Sequence, residues 1–313
     1  MKRLCWCLLP LLGAPLLHAE SGYPRFSAEL GTGVTGGTTN EIVYADSSGS
    51  TKVSELAWPV PPSAQLWTSF GTAWNSWFET NVRVGMALPL ATGTMTDDDW
   101  NIYDSDGDLL SRVHSDSTAY QTADWQARLE MIVPLRFDGF RSHLAAGLDY
   151  RHLSWEAWNP VQTETLASTG AQSSASLSGL GIQFRQEWIL FYLGAGAGVT
   201  LNGLDWDLDL RVAPFPLDNQ TDLHVLRELT FNESLSGGFS VEPTLSVSWP
   251  VEDRLKMVAS VSYWGAFFLR GDEVVSSDGA DASSSSAGFF AYAKGAGSAA
   301  QEVSLSLAVR VSL

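Results

Sequence analysis

L-D-W-D-L-D-L-R-V, from Leu204 to Val212, alternates apolar and charged residues without a break. Successive side chains of an extended chain point to opposite faces. Leu204, Trp206, Leu208, Leu210 and Val212 then share one face, and Asp205, Asp207, Asp209 and Arg211 the other. A line of charge on an inner face would not suit a packed core. It suits a barrel whose outside meets lipid and whose inside meets water. A soluble sandwich strand also alternates, with its apolar side inward, so one strand does not separate the two; the number and length of such strands do.

The pattern recurs. Trp125, Ala127, Leu129, Met131, Val133, Leu135 and Phe137 oppose Asp124, Gln126, Arg128 and Glu130. Val82, Val84, Met86, Leu88 and Leu90 alternate with Asn81, Arg83 and Gly85, and the chain ends with Val303, Leu305, Leu307, Val309, Val311 and Leu313 on one face. These strands favour the membrane barrel. Residues 1–19, M-K-R-L-C-W-C-L-L-P-L-L-G-A-P-L-L-H-A, have a basic start, an apolar stretch and a small-residue end, the pattern of a secretory signal peptide. No later stretch reaches the ~18 apolar residues of a spanning helix, and an exported membrane protein without such a helix closes its sheet into a barrel. Both cysteines, Cys5 and Cys7, lie in the leader, which leaves the mature chain without disulfides, thiolate catalysis or cysteine metal sites. Removing Lys2 and Arg3 from the 18 basic residues leaves 16 against 35 acidic ones, a surface that repels nucleic acid and draws cationic partners. Interfacial aromatic girdles account for part of the 13 tryptophans.

We expect a single all-β domain over 20–313, an antiparallel up-and-down transmembrane barrel of ten strands near 24–44, 52–75, 78–94, 119–137, 141–157, 179–200, 204–214, 227–249, 254–271 and 298–313. Tight turns fall near Asn75-Ser76, Asp138-Gly139, Asn202-Gly203 and Glu252-Asp253. Longer loops are expected near 45–51, 95–118, 158–178, 215–226 and 272–297, the last with a low-complexity tip at 276–288.

Two of these loops carry unusual constellations. G-T-M-T-D-D-D-W, residues 93–100, places Asp97 and Asp99 on one side of the backbone, where paired carboxylates share a proton or hold a water. Q-T-D-L-H-V, residues 220–225, puts Asp222 and His224 on a common face, where the carboxylate fixes the imidazole tautomer. Taken alone, each favours the bland reading, the first as a solvated acidic turn and the second as a surface histidine. D-S-D-G-D, residues 104–108, lacks the spacing of an EF-hand loop and reads as an Asp/Gly turn.

The chain resembles the omptin family of outer-membrane endopeptidases. L-G-T-G-V-T-G-G-T-T-N-E-I-V-Y (30–44) with K-V-S-E-L-A-W (52–58) is similar to the family's first hairpin, G-T-M-T-D-D-D-W to its M-x-D-x-D-W element, and D-x-H followed by R-E-L-T-F (227–231) to its fourth outer loop. G-I-Q-F-R-Q-E-W (181–188) fits the strand before that loop. The resemblance implies an integral protein of a Gram-negative-type outer membrane whose active site faces outside. It implies an Asp97–Asp99 couple facing an Asp222–His224 dyad, with a water activated between them, and cleavage near basic residues recognised by Glu41. The family's second recognition acid falls at Gln220 here, with Asp218 nearby, a departure that bears on strict basic preference. The family's dependence on lipopolysaccharide is a further implication. Leu148, Tyr150 and His152 stand where its Tyr, Glu and Arg would bind that lipid, so this site is poorly kept. Expected partners are cationic peptides or proteins as substrate and outer-membrane lipid; a monomer suffices. The alternatives are a catalytically silent barrel acting as adhesin or receptor, and a small porin.

Overall fold

The computed structural model describes residues 22–45, 48–49, 51–103, 109–277 and 290–313. The expected leader, the Asp/Gly turn at 104–108 and most of the tip at 276–288 lie outside these residues. The described chain is almost all strand: β1 (Arg25–Tyr44), β2 (Lys52–Ala73), β3 (Glu79–Pro89), β4 (Gly93–Tyr103), β5 (Leu109–Phe137), β6 (Phe140–Leu166), β7 (Gln172–Ser176), β8 (Leu180–Leu201), β9 (Leu204–Ala213), β10 (Leu217–His224), β11 (Leu229–Ser236), β12 (Phe239–Glu252), β13 (Leu255–Ser277) and β14 (Phe290–Ser312). Among the described residues no helix is long and apolar enough to cross a membrane.

All pairings are antiparallel, and the sheet closes on itself because β1 pairs with both β2 and β14 while β6 pairs with β8. Ten staves result, as expected. Three of them are broken once: β3 is continued by β4, β9 by β10, and β12 by β11. Short turns gather at one end. Asn202 and Gly203 both take positive φ, 53° and 79°, which is the backbone of a two-residue hairpin turn.

The alternation reads out as expected near that end. Leu208, Leu129, Leu305 and Phe191 point outward and are about half exposed, forming an apolar belt that runs over Phe26–Val34, Leu66–Phe70, Val82–Leu90, Trp125–Phe137, Phe140–Leu144, Phe191–Leu201, Trp206–Leu210, Leu245–Val251 and Val303–Val309. Inside the belt charges meet charges. Arg128 bonds Asp149 at 2.7 Å and also Glu242, and Arg211 bonds Glu130 at 2.8 Å. Asp205, Asp207 and Asp209 face the lumen, where Lys256, Arg141 and His143 meet them at 2.9–3.0 Å.

The expected outer loops need correction. Much of 95–118, 158–178 and 215–226 is strand, in β4, β5, β6, β7 and β10, and β13 and β14 run into the 272–297 region. Polarity marks contact with water, not loss of backbone pairing. Beyond the lipid the staves continue as a wet, hydrogen-bonded tube, because each polar strand still satisfies its backbone on a neighbour.

The belt predicts a sharp asymmetry. Leu305→Arg on the lipid face should cost about 2–4 kcal/mol if it sits near the bilayer midplane. The lumen-facing Ser246→Asn should cost under about 1 kcal/mol. Reversible urea unfolding in lipid vesicles measures both.

Candidate active site

The inward parity of each extended stave selects what lines the mouth. On β4 the inner positions are Met95, Asp97 and Asp99; Asp98 points outward and meets His114 Nδ1 at 2.7 Å. The acidic pair expected on a loop therefore sits on a strand, with Asp97 in register with Leu56 of β2 and Ser115 of β5. On β10 the inner positions are Asp218, Gln220, Asp222 and His224, all buried. The couple belongs to the third stave and the dyad to the seventh, so ring closure sets them on facing walls.

His224 Nε2 donates to Asp222 Oδ2 at 2.7 Å. With that hydrogen committed, Nδ1 carries the lone pair, and Arg227, from the 3-10 turn Val225–Arg227, approaches it at 3.4 Å. The imidazole also packs on Phe231, with ring centroids 5.0 Å apart. Burial would lower the His224 pKa, but the charge and hydrogen bond of Asp222 outweigh it and hold the imidazole above its ordinary value. Burial first, and the charge of Asp99 second, push Asp97 up to about 7, while His224 and Arg227 pull the other way. Couple and dyad thus lie close enough to feel each other's charge. All these groups stand beyond the apolar belt.

Glu41, from β1, is buried and feels the charge of both Asp222 and Asp97. Burial, then the charges of Asp222, Glu233, Glu273 and Asp97, push its carboxyl well above the usual range. Gln220 donates its amide to Asp218, which also receives the Gln186 amide at 3.5 Å. The sequence reading missed Glu233 on β11 and Glu273 on β13. Both face inward and are buried. Their signal existed only in the pairing Gln220↔Glu233↔Glu273, which depends on strand register. Among the described residues no group of His, Cys, Asp and Glu has the arrangement of a metal site.

Beneath the mouth lies an apolar floor that composition alone did not announce. Trp58 stacks on Phe184 at 5.0 Å, Trp155 lies beside both, and Trp188 meets Trp264 edge-on at 5.3 Å. Met95, Leu153 and Leu269 fill the gaps. Trp155 Nε1 donates to the Pro59 carbonyl at 2.8 Å. The layer separates the acidic mouth from the ion-paired lumen below and gives the buried acids above it an apolar base, which strengthens their electrostatics. It also predicts that the purified protein conducts no ions in planar bilayers; steady single-channel currents would show the floor to be open.

The Omptin family model matches residues 23–309. The plasminogen activator of Yersinia pestis is 21% identical over 239 residues, covering 76% of this chain and 75% of that protein. The crystal structure of outer membrane protease OmpT from Escherichia coli superposes with a TM-score of 0.78 at 16% identity, covering 92% of this chain and 97% of that one. This likeness shows the ten-stave barrel fold, and the family match places that barrel in an outer membrane.

Proposed function

The chain belongs to the omptin family, and from that membership and the geometry of its mouth we propose that it is an outer-membrane endopeptidase that cleaves beside basic residues. The similar Escherichia coli structure is that of an outer membrane protease. The observation that carries the reading is the facing pair of charged walls: Asp97 lies within the field of His224, which is itself bonded to Asp222 at 2.7 Å.

In the reaction we propose, a water held by Asp97 and Asp99 loses a proton to His224 Nδ1 and attacks the scissile carbonyl carbon. Asp222 stabilises the imidazolium that forms. The tetrahedral intermediate collapses as His224 returns the proton to the leaving amine, so atoms and protons balance without a covalent enzyme intermediate. Arg227 touches the same Nδ1 and must turn aside for the water to reach it. Glu41 and the surrounding acids favour a cationic side chain in the cleft. The proposed unit is a single barrel domain over 20–313, exported by the leader at 1–19, with its mouth outside the cell.

Cleavage of a quenched dibasic peptide tests the reading. His224→Ala and Asp97→Asn should each lower kcat/KM by about 10²–10⁴-fold. Equal, slow cleavage by wild type and both variants would favour a silent receptor. The pH profile is a separate test. Both working groups act deprotonated, and both are held above their ordinary values, Asp97 at about 7. Activity should therefore fall as pH drops through neutrality. Asp222→Asn removes the charge that raises His224, so it should move the acid limb to lower pH while reducing the rate.

A further inference from the structure

The acids of this barrel fall into two populations. At the level of the belt carboxylates meet cations: Asp149 and Glu242 hold Arg128, and Glu130 holds Arg211. At the mouth the pattern changes. Glu41, Glu233 and Glu273 are only 2%, 3% and 3% exposed. Glu233 receives no donor except the neighbouring Glu41 carboxyl when that is protonated, and Oε2 of Glu41 and of Glu273 receive none. The Gln220 amide is turned to Asp218, which leaves its own Oε1 without a donor. Among the described residues no lysine or arginine forms an ion pair with any of these three carboxyls.

The five oxygens belong to one wall. Gln220, Glu233 and Glu273 are directly in register across β10, β11 and β13, and Glu41 is close enough to feel both glutamates. This wall begins at the dyad's own strand, with Gln220 two residues before Asp222. Burying carboxyl groups together without a counter-ion is costly, and the cost is relieved by a cation that brings hydrogen-bond donors.

Resting on the proteolytic reading, we propose that Glu233 and Glu273, together with Glu41, receive the cationic side chain of the substrate, and that Glu233 supplies the acid that Gln220 does not. The two positions are cross-strand partners, so their side chains rise from the same level of the wall and reach the same space. A guanidinium or ammonium entering there meets acceptors from β1, β11 and β13, while the adjacent dyad faces the neighbouring peptide bond. Glu233 and Glu273 are therefore specificity-determining residues and have no part in the proton transfers. A neutral isostere such as citrulline leaves the carboxyls unpaired.

The test uses the full-length protein folded in lipopolysaccharide-containing vesicles and two quenched peptides that differ only in arginine or citrulline before the scissile bond. The quantity read is the arginine-to-citrulline ratio of kcat/KM. Glu233→Gln should lower it by about 10- to 100-fold, and Glu273→Gln should lower it by less. The double variant Glu233→Gln/Gln220→Glu, which moves the acid back across the strand pair, should recover most of it. A merely structural glutamate would depress both peptides alike and leave the ratio at its wild-type value, and that result overturns the proposal. If the wild type cleaves neither peptide, proteolysis fails as the function, and equilibrium binding judges the receptor by itself. Tighter binding of the arginine peptide by wild type than by Glu233→Gln supports it; equal binding overturns it.

Discussion

Every backbone amide and carbonyl inside a bilayer must find its partner within the protein, and for a sheet that means closure. Here the closing seam is β1 against β14, paired from Ser27↔Ser312 to Val43↔Ala296. This long ladder joins the first strand to the last and fixes which staves face each other. The Asp97 stave and the His224 stave are opposed only because the ring is complete. Without the seam the mouth would be an edge of open sheet, and the two halves of the site would have no common cleft.

Closure also sets the electrostatic problem. A ring of inward side chains concentrates charge, and the chain answers differently at different heights. Within the belt, arginines and carboxylates neutralise one another across the lumen, as in the Arg128–Asp149 and Arg211–Glu130 bonds. Above the tryptophan floor Asp222 has His224, but among the described residues Glu41, Glu233 and Glu273 have no lysine or arginine partner. Low-dielectric surroundings raise Asp97, the charge and hydrogen bond of Asp222 hold His224 above its usual value against that same burial, and the buried carboxyls make the mouth attractive to positive charge. On the proposed reading, reactivity and recognition share one physical origin, an excess of buried carboxyls over donors.

Much of this was legible along the chain. The period-two pattern around Leu208 and Leu129 predicted lipid-facing strands, and the Asn202-Gly203 dipeptide predicted a tight hairpin. Asp97 with Asp99, and Asp222 with His224, were visible as same-face pairs because spacing by two is a local property. The outer segments were harder. Residues 95–118 and 215–226 look like loops by composition, yet most of them pair as strands. Their buried inner face is mostly polar, as at Asp218, Gln220, Asp222 and His224, so no apolar stripe advertises the backbone ladder beneath. Glu233 and Glu273 gave no local cue, being separated in sequence from the dyad and from each other.

Side-chain order along each strand was enough to settle the class of fold and the two-faced wall, and to mark both halves of the proposed site. Folding in three dimensions chose which wall faces which, put Glu233 across from Gln220, and stacked Trp58, Trp155, Phe184, Trp188 and Trp264 into a floor. The division follows from the range of the interactions. Alternation is imposed residue by residue by the extended backbone, whereas register and ring closure arise from hydrogen bonds between segments far apart in the chain, and a slip of one residue would turn every inner side chain outward.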